Sequence, residues 1–395
     1  MTNVFASSSL RTITVSFLPT LTSIYLAQHY SNTNAVQSSS PSSSPSSPLP
    51  TRDIPSLDTS VYTSLATLIT TETFQPLPVV GGHDGILTNK EYILKPFKDK
   101  RGEAEANFYL QIYHPSRRFL PPAIFTPNFY GIYYHDRSHT KGDTIENSPS
   151  NTTVQIEPID DQPQRHKIST NSVLLSEYIT RYIMLEDLTK YYKKPCIMDI
   201  KIGIQTWDED AKPEKIFTEI NKYPIQQKIG FRFTGMRVWD NVLQTYREHG
   251  REYGYALNDK TMVNAFTEYL YNGKIIRHDI IPLLIKKLQN IEEYFIQQNE
   301  YRFYGSSLLF IYEGEIEQSL LKNTNNPTSQ SHQTDIRMID FAHVWPIRDG
   351  PHGRDTGYLL GLRNIIHYLE SVNYGAGMMT GISTLQKTKD ELNIN

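Results

Sequence analysis

The stretch Pro195-Cys196-Ile197-Met198-Asp199-Ile200-Lys201-Ile202-Gly203 constrains the fold more than any other part of the chain. Its alternation is that of a strand with one buried face. Cys196, Met198, Ile200 and Ile202 point one way, and Asp199 and Lys201 point the other. The two charged side chains then project together, roughly 6.6 Å apart along the backbone. A carboxylate and an ammonium on a rigid strand are costly to bury, and the pairing is useful beside a phosphate.

A chain of 395 residues is long enough for one large domain or two modest ones with a real core. Its 39 Lys+Arg nearly balance 42 Asp+Glu. No global basic field for nucleic acid or an anionic membrane is expected, so an anion site must be built locally. Cys196 is the single cysteine, which excludes an intrachain disulfide and suits a reducing compartment. On the apolar face of its strand it reads as a small buried hydrophobe rather than a nucleophile. Residues 1–52 hold no acidic residue and only two arginines, Arg11 and Arg52, and Ser38 to Pro50 is almost entirely Ser and Pro. Such a composition packs no core, and residues 1–75 are expected to be a disordered extension. Residues 12–27 are too short and polar to span a bilayer, and an organellar transit peptide would be richer in arginine.

Further along, strand and helix signals are mixed. Gly85-Ile86-Leu87 and Tyr92-Ile93-Leu94-Lys95 flank a Thr88-Asn89-Lys90 turn and read as a hairpin. A helix is expected over 103–113 and a strand over 129–134. The polar segment 137–170 reads as a long surface insertion. Tyr182-Ile183-Met184-Leu185 runs as a strand into Glu186-Asp187-Leu188. Residues 213–229 look helical, with a break forced at Tyr223-Pro224. Leu284, Leu288, Ile291 and Phe295 predict an amphipathic helix over 282–295. Strands at 308–312 and 336–341 are expected to pair antiparallel, and Leu359, Leu362, Ile366 and Leu369 mark a closing helix. The expected architecture is α+β in two lobes, 76–187 and 188–375, with the crossover near Glu186 and a tail at 376–395.

Five separated segments in order carry a resemblance: Leu185-Glu186-Asp187-Leu188, Lys194 through Gly203, Gly235-Met236-Arg237-Val238, Ser306-Ser307-Leu308-Leu309, and Arg337-Met338-Ile339-Asp340-Phe341-Ala342-His343. From about Gly82 to Glu370 the chain resembles the inositol polyphosphate kinase family, most nearly its multikinase branch, whose P-x-x-x-D-x-K-x-G signature is residues 195–203. The resemblance implies a two-lobed fold related to protein-kinase and ATP-grasp folds, with ATP in the cleft between lobes and Mg²⁺ as cofactor. It makes Asp340 the metal and nucleotide residue, and a carboxylate held at a strand end suits that hard cation. Lys95 becomes the lysine on the ATP phosphates, paired with Glu105 on the following helix, Glu103 being the fallback. Glu186, Asp187 and Leu188 form the hinge that meets adenine through backbone groups. Asp199 then touches the ribose or the attacking hydroxyl, and Lys201 steadies the phosphoryl group in flight.

On the substrate side, Lys215, Thr218, Glu219 and Lys222 share one helix face, with Ile216 and Ile220 on another. Spacing alone describes a solvated basic stripe. The resemblance makes it the inositol-binding segment and adds Arg101, Arg251, Ser307 and His343 as substrate contacts. Thr218 and Glu219 stand where the multikinases carry glutamines, and Arg251 also replaces a glutamine, so substrate preference stays open. The expected activity is ATP-dependent phosphorylation of inositol trisphosphate and tetrakisphosphate toward the pentakisphosphate. A dedicated trisphosphate 3-kinase, a hexakisphosphate kinase, and a non-catalytic scaffold that binds inositol phosphates are the alternatives. Arg277-His278-Asp279 and Asp340-Phe341-Ala342 imitate protein-kinase motifs but lie too far apart, and the former reads as a loop opening the 282–295 helix. Expected partners are inositol polyphosphates, with phosphoinositide lipid headgroups as a further class. No nucleic acid or transmembrane segment is expected, and the chain is expected to be a monomer of the cytoplasm or nucleus.

Overall fold

The computed structural model describes residues 74–77, 85–97, 99–112, 123–136, 179–315, 334–348, 353–374 and 392, all within the compact unit 58–395. The expected extension up to residue 73, the insertion at 137–170 and most of the tail at 376–395 lie outside the described residues, as does the glycine run 81–84.

The fold is α+β in two lobes. In the first, β1 (Gln75–Pro76), β2 (Leu87–Thr88), β3 (Tyr92–Phe97), β4 (Phe129–Asp136) and β5 (Ile179–Glu186) form an antiparallel sheet ordered β1-β2-β3-β5-β4. The expected hairpin is β2–β3. Its turn places Lys90 at φ 74°, and the Asn89 side-chain oxygen accepts the Glu91 and Tyr92 N–H groups. Helix α1 (Lys100–Ile112) starts earlier than the expected Glu103. The reason is Asp99, whose carboxylate accepts the Arg101 and Gly102 N–H groups and satisfies the open first turn.

In the second lobe, β6 (Pro195–Ile202) is the middle strand of an antiparallel sheet with β7 (Phe231–Asp240), β8 (Thr245–His249), β10 (Ser307–Glu313) and β11 (Thr334–Ile339), ordered β11-β10-β6-β7-β8. A short pair, β9 (Tyr301–Phe303) with β12 (Val344–Pro346), stands beside it in sequence. The helices are α2 (Pro213–Lys222), α3 (Ile225–Ile229), α4 (Arg251–Ala256), α5 (Met262–Leu270), α6 (Ile281–Gln297) and α7 (Thr356–Tyr374). The α2–α3 break falls at Tyr223-Pro224, as the proline requires. On α6, Leu284, Leu288, Ile291 and Phe295 are all buried, against β11 and α7.

Strands β7 and β8 and helix α5 were not legible from spacing. Almost every residue of β7 is buried on both faces, so the strand shows no alternation. The lobes meet through aromatic rings: Phe108 of α1 lies 4.7 Å from Phe341 and 5.8 Å from Phe303, and Tyr109 lies 5.3 Å from Phe341. These contacts hold α1 against the residue that follows Asp340.

Candidate functional site

Strand register assembles the centre of the site. Ser307, at the start of β10, pairs with Lys201 of β6 on one side and Ile339 of β11 on the other. Lys201, Ser307 and the end of β11 therefore form a row across three strands. Asp340 is the next residue, just past the strand, at φ 64°, a left-handed conformation that Asp tolerates better than branched residues. Its carboxylate accepts the Lys95 ammonium at 2.5 Å, and the same ammonium meets Glu105 of α1 at 2.9 Å. Lys95 is buried within the first sheet opposite Ile183, so it is not a solvated edge lysine. Glu103, the fallback partner, pairs instead with Arg181 at 3.0 Å.

These groups perturb one another. Burial pushes the Asp199 carboxyl up from 3.8 to about 6, and the neighbouring Asp340 charge adds to that while Lys201 opposes it. The Asp199 Oδ1 and the Ser307 hydroxyl are both buried in the site, and the Thr234 and Ser307 hydroxyls beside Asp199 also work against the rise. Burial lowers Lys201, against the pull of Asp340 and Asp199, and its ammonium donates to the Gly305 carbonyl at 2.5 Å. Burial alone would also lower Lys95, but Asp340 and Glu105 outweigh it and hold that ammonium above the ordinary lysine range. Lys95, Glu105 and Asp199, all buried, and the partly buried Lys201 and Asp340 form one charged cluster of the kind that marks a functional site. Cys196 is fully buried and accepts the Trp239 N–H, and burial pushes its thiol up to about 11, as a packing residue requires.

Sequence reasoning missed Arg232. It sits on β7 directly opposite Lys201, is 7% exposed, and has Nε and Nη1 buried with no hydrogen-bond partner among the described residues. A buried guanidinium with unused donors is an anion site in waiting. In the sequence it is only a lone arginine between Phe231 and Phe233, and its place in the site comes from strand register.

The substrate-side residues fall into two groups. Helix α2 has no fully buried residue. Lys215 pairs with Asp208 at 3.2 Å, and Lys222 pairs with Glu219. Glu219 also accepts the Thr206 hydroxyl at 2.8 Å. Burial would raise its carboxyl, but Lys222 and Thr206 hold it below the ordinary range. The Thr218 hydroxyl turns back to the Glu214 carbonyl. His343 Nδ1 lies 2.6 Å from Asp208. In the second group, Arg101 is exposed and held by Asp99 at 2.8 Å, and Arg251 is exposed at the start of α4.

At the crossover, Leu188 is buried. The Asp187 carboxylate is committed to Thr88 and Thr189, and Glu186 accepts the Asn128 side-chain amide at 2.9 Å. Backbone N–H groups of Glu186 and Asp187 donate to Asn128 and Glu91. The side chains thus shape the crossover. The Arg277–Asp279 segment forms an internal ion pair and a short turn that opens α6, as expected of a structural loop.

No cluster of three metal-ligating side chains occurs among the described residues. Mg²⁺ needs only one or two carboxylates and completes its shell with phosphate and water. Asp340, with the buried Asp199 Oδ1 and Ser307 hydroxyl nearby, has the hard-oxygen chemistry for it.

Residues 182–370 match the inositol polyphosphate kinase family. The chain is 38% identical over 159 residues to inositol polyphosphate multikinase of Homo sapiens, covering 40% of this chain and 38% of that protein. It is 31% identical over 204 residues to inositol hexakisphosphate kinase 3 of Mus musculus, covering 49% and 52%. The chain thus spans about half or less of the length of these curated relatives. The crystal structure of inositol phosphate multikinase Ipk2 from S. cerevisiae, in complex with ADP and Mn²⁺, matches with a TM-score of 0.50 at 22% identity, covering 71% of this chain and 98% of that one. At that identity the likeness speaks to the fold.

Proposed function

Because residues 182–370 place this chain in the inositol polyphosphate kinase family, we propose that it transfers the terminal phosphoryl group of ATP to inositol trisphosphate and tetrakisphosphate, toward the pentakisphosphate. The observation that carries this reading is the row Lys201–Ser307–Asp340 with Lys95 locked between Asp340 and Glu105. Phosphoryl transfer needs positioned cations and an aligned nucleophile more than covalent chemistry.

In this reading the nucleotide lies between lobes 76–187 and 188–375, with adenine at Glu186–Leu188 and phosphates at Lys95. Asp340 would hold Mg²⁺, which neutralises charge on the phosphates when bound. Asp199, with a carboxyl poised near 6, orients the attacking hydroxyl and accepts its proton. Lys201 and Arg232 meet the charge on the transferred group and on the substrate's own phosphates. Lys215 and Lys222 are neutralised by Asp208 and Glu219, so a polyanion must displace those carboxylates to engage them. Arg251 and Arg101, on the exposed side, support outer phosphate contacts. The ADP and Mn²⁺ of the S. cerevisiae relative support the cofactor assignment. Phosphoinositide headgroups share the substrate's chemistry and form a second acceptor class. The single cysteine, buried in the core, is in keeping with a reducing compartment such as the cytoplasm or nucleus, where the chain acts as a monomer in this reading.

The test is incubation of the purified chain with ATP, Mg²⁺ and a panel of inositol phosphates, with product isomers resolved by chromatography. Pentakisphosphate from the tris- and tetrakisphosphate is expected. Conversion of the hexakisphosphate alone would move the chain to the hexakisphosphate kinase branch, and binding without turnover would make it a scaffold.

A further inference from the structure

One carboxylate joins three elements beside Lys201. Asp208 lies in the loop between β6 and α2. Its Oδ1 accepts hydrogen bonds from His343 Nδ1 at 2.6 Å and Trp345 Nε1 at 3.1 Å, and its Oδ2 accepts one from Lys215 at 3.2 Å. The next residue, Glu209, accepts the Tyr304 hydroxyl at 3.1 Å and pairs with Arg302 at 3.6 Å. Two consecutive acids therefore fasten this loop to the β9–β12 pair.

The imidazole and Lys201 flank the same glycine, Gly305. A methyl group built on Gly305 would lie 4.0 Å from His343 Cδ2 and 3.8 Å from the Lys201 ammonium. The imidazole Cδ2 and that ammonium thus border the same small space, which the Thr206 carbonyl also lines, 3.4 Å from the same methyl position. A carboxylate on Nδ1 fixes the ring's proton there and leaves Nε2 as an acceptor.

We propose that Asp208 is a positioning residue that holds His343 as an Nδ1–H imidazole with its Nε2 lone pair beside Lys201, where it accepts a hydrogen bond from a free ring hydroxyl of the substrate. This rests on the kinase reading above and deepens it. A lone pair repels phosphate oxygens, so the pair favours cyclitols that still carry a hydroxyl over fully phosphorylated ones. Lys215, on the other carboxylate oxygen, couples the same residue to the substrate helix.

Two measurements on the full chain test it. In the first, nitrogen-15 spectra of labelled histidine are recorded at about pH 8, where an ordinary imidazole is neutral. His343, identified by the signal lost in His343→Ala, is expected to carry its proton on Nδ1, and Asp208→Ala is expected to release it into a tautomer mixture. A wild-type ring that is mixed, protonated on Nε2 or doubly protonated overturns the proposal, whether or not the chain turns over.

The second measurement is kinetic. Asp208→Ala is expected to lower kcat on inositol trisphosphate by about tenfold or more, with a smaller change in KM and stronger inhibition by the hexakisphosphate, because Lys215 loses its carboxylate and the imidazole lone pair is no longer held in place. Asp208→Asn keeps an acceptor for Nδ1–H and should recover most of the kcat. In a His343→Ala background, Asp208→Ala should cost nothing further. An equal loss in both backgrounds would mean that Asp208 only braces the loop, which overturns the proposal. Absence of wild-type turnover would instead overturn the kinase reading and leave the spectra to decide the position of the ring.

Discussion

Strand β6 and helix α2 are neighbours in the chain and opposites in design. The strand is buried along nearly its whole length, and its Asp199 and Lys201 are shifted toward neutrality by that burial. The helix buries no residue fully, exposes Phe217 at 72%, and keeps Lys215 and Lys222 in ion pairs near the surface. The difference separates reaction from recognition. Groups that must not move stand on a strand held between two others, where the field is strong. Groups that must exchange one anion for another stand on a helix tethered by side chains, where a pair is worth little.

The comparison breaks if the strand residues are dispensable. Asp340→Asn and Lys201→Ala should each lower kcat on the order of 10³-fold while leaving a folded protein by circular dichroism. Near-wild-type turnover in both would remove the chemistry from this row. Lys95→Met should cost about 3–5 kcal/mol of stability in urea unfolding, because it leaves Glu105 buried without its cation. A loss below about 1 kcal/mol would mean the pair is wetter than its burial implies.

Asp199 sharpens the same contrast through pH. Its folded carboxyl lies near 6 against 3.8 ordinarily, so the folded state binds the proton more tightly. The cost is absent below 3.8, grows as pH rises, and is complete above about 6. Asp199→Asn should therefore stabilise the protein by about 2–3 kcal/mol at neutral pH and much less in acid, read from melts at both, while removing turnover. The wild-type kcat/KM should rise with pH across the region near 6 as the carboxylate forms. Smallest of all, Glu219→Gln should lower KM for the polyphosphate by no more than about fivefold, with kcat unchanged and the effect fading in high salt. A large fall in kcat would place Glu219 with the strand rather than the helix.

Much of this was legible in the chain because it lies in short-range pattern. Alternation exposed β6, the Tyr223-Pro224 break divided α2 from α3, and apolar spacing located α6. The Lys95–Glu105 pair was legible only through the family resemblance, because the strand by itself reads equally well with a solvated edge lysine. Arg232 was not legible, because its importance comes from register: only pairing β7 with β6 sets it opposite Lys201. Asp208 was hidden for the same reason. Its partners His343 and Trp345 are distant in sequence, and no local period connects them. Glu219 looked repulsive beside phosphate until its ties to Thr206 and Lys222 were visible.

The most direct test of the central claim is isomer-resolved product analysis of the wild-type chain beside Lys201→Ala, with ATP, Mg²⁺ and inositol trisphosphate. The account predicts stepwise conversion to the pentakisphosphate by the wild type and none by the variant. Undiminished conversion by Lys201→Ala, or transfer by the wild type to protein but to no inositol phosphate, would contradict it.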